Sequence, residues 1–123
     1  MARVLIVDDV DMVLRVLQGV VRKMGHHTES ASSSREALAL ARANPPDLAL
    51  VDYQMAGMDG VQLFGALKQL LGVRCPKVLF VSASPPEEVR QLLEPQGLRP
   101  AGFVTKPCHF EDLLREVDLA LNA

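Results

Sequence analysis

The chain has few cysteines, no long apolar run and no excess of one charge. Each shortage removes a class of protein. Cys75 and Cys108 stand far apart, with no CxxC and no histidine at ligand-like spacing. A disulfide framework or a zinc site is therefore not expected, and both thiols read as free. No apolar stretch reaches the roughly 20 residues needed to span a bilayer. Met1-Ala2-Arg3-Val4 runs straight into an apolar segment and is too short for a signal peptide, so a cytoplasmic location is expected. With 13 basic and 15 acidic residues the net charge is -2, and no basic patch argues for nucleic acid or an anionic membrane as partner. No internal repeat, low-complexity tract or linker interrupts the chain, so one domain is expected over residues 1–123. Hydrophobic residues make up 49% of it, which excludes a disordered chain and suffices for a core.

What is present is a regular alternation. Five short segments read as strands: Arg3–Val7, His27–Ala31, Leu48–Val51, Lys77–Val81 and Gly102–Thr105. Four are apolar throughout or nearly so, the pattern of buried parallel strands. The second is polar and fits a sheet edge. Helical patterns separate them. Val13, Val16, Leu17, Val20, Val21 and Met24 draw one stripe, and Gly25 stands where a helix C-terminal glycine belongs. Ser33 with Glu36 reads as a capping box opening a helix to about Ala43. Ser84 with Glu87 reads as another, ahead of a short helix near Pro86–Leu93. Leu63, Phe64, Leu67, Leu70 and Leu71 line a third helix, and Phe110, Leu113, Leu114, Val117, Ala120 and Leu121 the last. Five βα units with crossover connections give an α/β fold, a five-stranded parallel sheet in a three-layer sandwich.

The polar residues at the strand ends carry the chemistry. Asp8 and Asp9 end the first strand, Asp52 the third, Ser82 the fourth and Lys106 the fifth. In an open parallel sheet of order 2-1-3-4-5, the first and third strands meet at the topological switch point, and the functional crevice lies at their carboxyl ends. Three carboxylates gathered there repel one another unless a cation is present. A hard oxygen site of this kind suits Mg²⁺. Lys106 can neutralise a phosphoryl oxygen, and Ser82 can donate a hydrogen bond to the same group. Read alone, Asp8 and Asp9 would cap a helix, and Ser82 would be a turn residue. His26 and His27 read as solvated, and Met55 and Met58 as gap fillers in a loop.

Taken together, Val7-Asp8-Asp9, Asp52 with Met58-Asp59-Gly60, Ser82-Ala83 and Phe103-Val104-Thr105-Lys106-Pro107 resemble the receiver domain of two-component response regulators, along essentially the whole chain. The stand-alone chemotaxis-regulator type is the nearest in form. The resemblance implies a flavodoxin-like, doubly wound fold and a switch rather than an enzyme, with weak autophosphatase activity. Asp52 would accept a phosphoryl group from a sensor histidine kinase or a histidine phosphotransfer protein. Asp9 and Asp52 would bind Mg²⁺ directly, Asp8 through water, and the Gln54 carbonyl would complete the protein ligands. Ser82, the Ala83 amide and Lys106 would hold the phosphoryl oxygens. Ser82 and Phe103 would form the switch, and the face of the fourth helix, fifth strand and fifth helix would meet a downstream protein. Departures exist. Met55-Ala56-Gly57 lacks the proline common in that loop, which leaves its stiffness open. Phe103 replaces a commoner tyrosine, and Gln54 and Ser84 occupy positions that tune dephosphorylation. The alternatives are a phosphorylation-independent adaptor of the same fold, a receiver cut from a longer transcriptional regulator, and a small Mg²⁺-dependent phosphatase.

Overall fold

A computed structural model describes residues 1–122. Its sheet contains β1 (Arg3–Val7), β2 (His27–Ala31), β3 (Leu48–Val51), β4 (Lys77–Ser82) and β5 (Gly102–Thr105). All neighbours pair in parallel, in the order β2-β1-β3-β4-β5. The helices are α1 (Asp11–Lys23), α2 (Ser34–Ala43), α3 (Gly60–Leu71), α4 (Pro86–Leu93) and α5 (Phe110–Asn122). The expected doubly wound α/β sandwich is what forms.

Alternation along the central strands sends side chains to two cores. Leu5, Val7, Ala49, Val51, Val78 and Phe80 face α2, α3 and α4. Val4, Ile6, Leu48, Leu50, Leu79 and Val81 face α1 and α5. Both faces of these strands are therefore apolar, as a parallel sheet covered on two sides requires. Each such Leu or Ile contributes about 1.5–3 kcal/mol of burial. Strand β2 carries only one buried residue, Ala31, which fits its place at the edge.

Three local expectations need correction. The stripe of α1 holds at Leu17 and Val21, which are buried, and at Val13, Val20 and Met24, which pack against the same core, but Val16 is 60% exposed and Leu14 is buried in its place. Strand β4 runs one residue further, to Ser82. Ser84 does not cap α4. Pro85 is the N-cap and supplies no side-chain bond, while Ser84 is buried with its N–H on the Ser82 hydroxyl, 3.2 Å away. The first capping motif forms largely as read. The Ser33 hydroxyl accepts from the Glu36 N–H at 3.1 Å, but the Glu36 carboxylate reaches the Ser32 N–H instead of that of Ser33.

Candidate functional site at the carboxyl ends of the strands

Strands β1 and β3 lie side by side, with Val7 opposite Val51. Their next residues, Asp8 and Asp52, are consequently neighbours, and the Asp52 N–H donates to the Val7 carbonyl at 3.0 Å. The chain must turn here to reach a helix, so polar side chains replace apolar ones where the two cores end. Asp8, Asp9 and Asp52 each place a carboxylate oxygen within 4.8 Å of the others. Asp8 and Asp52 are buried, at 1% and 7% exposure, and Asp9 is exposed.

Among the described residues, one cation reaches this cluster. Lys106 lies just past β5, where its N–H donates to the Ser82 carbonyl at 2.9 Å, and the Lys106–Pro107 peptide is cis. Its Nζ stands 2.6 Å from Asp8 Oδ2 and 3.6 Å from Asp52 Oδ2. Asp8 Oδ1 also accepts the Val10 N–H at 2.9 Å, so one carboxylate both organises the start of α1 and holds the lysine. Burial pushes the Asp52 carboxyl above the ordinary carboxylate value; Lys106 opposes this, the Asp8 charge adds to it, and a hydrogen bond from Ser82 opposes it.

The donor set fits a divalent cation: hard oxygens, two of them buried, with three carboxylates against a single ammonium. Ser82, buried at the end of β4, hydrogen-bonds to Asp52, and Ala83 beside it is exposed. Gln54 is exposed on the loop after β3 and lines a cleft of about 450 Å³ with Asp9, Tyr53, Asp59 and Glu88. The same loop touches the cluster directly, since the Ala56 N–H points to Asp9 Oδ2 at 3.4 Å. Gly60 returns the loop to the sheet: a Cβ there would lie 2.4 Å from the Asp52 carbonyl oxygen. The turn is fixed by a capping box that the sequence reading missed, with Asp59 Oδ1 accepting the Gln62 N–H and Gln62 Oε1 accepting the Asp59 N–H, each at 2.9 Å. Its signal, an Asp three residues before a Gln, is plain in the sequence.

Phe103 sits away from the carboxylates, on β5. Its ring stacks on buried Phe80 with centroids 5.8 Å apart and planes 17° apart. The Arg90 guanidinium also lies over the Phe103 ring, 4.9 Å from its centroid, and is itself paired with Glu87. Arg90 had no signal in the sequence, because a cation over a ring depends on how α4 packs on β5. His26 was read as solvated, but its Nδ1 accepts the Ala2 N–H at 3.1 Å; His27 is exposed as expected. Cys75 and Cys108 are both free. Among the described residues no helix is long and apolar enough to cross a membrane.

The sequence pattern of the response regulator receiver domain matches residues 4–118. The chain is 32% identical to the protein PilH of Pseudomonas aeruginosa over 121 residues, covering 98% of each. It is 34% identical to the regulatory protein AtoC of Escherichia coli over 122 residues, but spans only 25% of that protein's length. Among solved structures it is similar to the chemotaxis protein CheY4 of Vibrio cholerae, with a TM-score of 0.89 and 27% identity, covering 98% of this chain and 99% of the other.

Proposed function

Since this chain belongs to the family of response regulator receiver domains and acts in a phosphorelay, we propose that Asp52 is its phosphoacceptor and that Asp8, Asp9, Lys106, Ser82 and the Ala83 amide serve the transfer. The observation that carries this reading is the convergence of three carboxylates and one ammonium where β1, β3 and β5 end. In the proposed reaction a carboxylate oxygen of Asp52 attacks phosphorus, the phosphorus–nitrogen bond of a donor phosphohistidine breaks, and its electron pair stays on the imidazole. Asp52 is presented for attack by its backbone bond to Val7, and its small exposed area limits which donors reach it. Mg²⁺, held by Asp9 and Asp52 directly, Asp8 through water and the Gln54 carbonyl, would offset negative charge shared by the carboxylate and phosphoryl oxygens. Lys106 releases Asp8 or Asp52 in part to meet a phosphoryl oxygen, while Ser82 and the Ala83 N–H hold the others. Most of the rate comes from such positioning and charge neutralisation. Water then slowly attacks phosphorus, the bond from phosphorus to the Asp52 carboxylate oxygen breaks and inorganic phosphate leaves, a weak autophosphatase activity.

The phosphoryl group is read out through Ser82 and Phe103. Drawing the Ser82 hydroxyl from Asp52 and the Ser84 N–H toward phosphate alters the end of β4, and Phe103 follows through its contact with Phe80. The surface of α4, β5 and α5 changes with them and controls a partner protein. A histidine kinase or histidine phosphotransfer protein supplies the phosphoryl group, in the cytoplasm. PilH is matched over nearly its whole length and AtoC over a quarter of it, so both single-domain and multidomain settings occur among the relatives.

The test is intact mass after incubation with acetyl phosphate and with a phosphorylated histidine phosphotransfer domain, each with and without Mg²⁺. One added phosphoryl group is expected, only with Mg²⁺. No gain from either donor, together with no binding of Mg²⁺ or beryllofluoride, overturns the reading in favour of an adaptor that kept the fold.

A further inference from the structure

Among the described residues, five polar ones are buried: Asp8, Asp52, Ser82, Ser84 and Ser34. The first four stand at the strand ends of the site. Ser34 does not, and it is not the cap of α2 either, because Ser33 fills that position. Its hydroxyl donates across 24 residues to the Met58 carbonyl, at 2.9 Å.

Met58 belongs to the loop between β3 and α3, which carries Gln54. That loop holds no proline, and Gly57 takes a positive φ of 76°. Its far end is well fixed by the Asp59 box and by the Gly60 N–H on the Tyr53 carbonyl at 2.8 Å. Among the described residues, two hydrogen bonds reach the segment between Gln54 and Met58 from other elements. One is the long, exposed bond from the Ala56 N–H to Asp9; the other is the short bond from Ser34. Asp9 belongs to the cation cluster and cannot anchor the loop independently of it. Ser34 can, because it begins α2 and stands outside that cluster.

We infer that Ser34 is a positioning residue for the cation site: its hydrogen bond to the Met58 carbonyl holds the β3–α3 loop where Gln54 and Ala56 face Asp9, and so raises the affinity for a divalent cation. The inference rests on the reading given under Proposed function. A loop freed from this tether samples more positions, and the bound state must select one of them.

Tyr53 provides the readout. It is the only tyrosine in a chain without tryptophan, adjoins Asp52, and lines the cleft with Asp9 and Gln54. Mg²⁺ titration followed by Tyr53 fluorescence is compared for the wild type, Ser34→Ala and Ser34→Thr, with backbone amide exchange at residues 54–58 measured in metal-free protein. Ser34→Ala is expected to weaken Mg²⁺ about fivefold, the size of one net hydrogen bond. Exchange at Ala56 and Gly57 should quicken, and Ser34→Thr should restore both. Should Ser34→Ala fail to fold, Ser34→Cys keeps the size with a weaker donor, and a smaller shift in the same direction is expected. A less stable Ser34→Ala whose Mg²⁺ affinity and loop exchange match the wild type would overturn the inference and leave Ser34 as packing for α2. A wild type with no Mg²⁺ response would overturn the metal reading itself, and this inference with it.

Discussion

The two ends of the sheet treat their charges in opposite ways. At the amino ends, most polar groups find a partner from a neighbouring strand or loop, although the buried Arg3 Nε has none among the described residues. Asp47 accepts the Arg3 N–H and donates its own N–H to the Arg3 carbonyl, both at 2.8 Å. The Arg3 guanidinium pairs with Glu29 at 3.1 Å, and the Ala2 N–H with His26. These groups are exposed or half-buried and finish the strands. At the carboxyl ends, three carboxylates cluster, and Lys106 pairs with only the two buried ones, Asp8 and Asp52. Such a cluster is costly for folding and useful for binding. The contrast teaches where function sits: in the charges that the fold leaves unmatched.

The largest break in that contrast comes from Lys106→Met. It leaves Asp8 buried without its partner, and should destabilise metal-free protein by about 2–3 kcal/mol, below the range for a fully buried pair because Lys106 keeps some exposure. Phosphoryl acceptance should slow by roughly 100-fold or more. Urea denaturation and mass-resolved kinetics measure the two effects.

A subtler break uses pH. Burial raises the Asp52 pKa above its ordinary value of 3.8. The folded state then holds the proton longer than the unfolded chain, so this contribution to stability is present below pH 3.8 and is lost as pH rises through the folded-state pKa. Asp52→Asn should flatten that part of the metal-free stability profile and make the chain more stable than the wild type above it. A profile unchanged by the substitution would mean the cluster carries no such cost.

The smallest expected effect is at the other end. Asp47→Ala removes one exposed hydrogen bond and should cost about 1 kcal/mol. The gain in melting temperature on adding Mg²⁺ should be the same as in the wild type. A change in that gain would show that the two ends are coupled, and would weaken the contrast.

The strands and the strand-end carboxylates were legible in the sequence for a physical reason. A strand buried on both faces must be apolar throughout, so its end is marked by the first charge, and Asp8 and Asp52 stand out at once, while Lys106 stands out as the first charge after the edge strand β5. Contacts between separate loops leave no such mark. Ser34 and Met58 meet only because α2 crosses over β1 and packs against α3, and Arg90 covers Phe103 only because α4 packs over the sheet edge. Ser84 misled in the opposite direction. Its spacing to Glu87 is that of a cap, but the residue is drawn into the site beside Ser82, and Pro85 begins the helix in its place. Local pattern loses to tertiary packing most readily beside a functional site.

The most direct test of the central claim is to find which residue carries the phosphoryl group. Chain phosphorylated in Mg²⁺ is reduced with borohydride, which converts an aspartyl phosphate to homoserine, and the peptides are sequenced by mass. Homoserine at position 52 alone is the predicted result, with none recovered from Asp52→Asn. Homoserine at Asp8 or Asp9 in the wild type, or undiminished labelling of Asp52→Asn, would contradict the account.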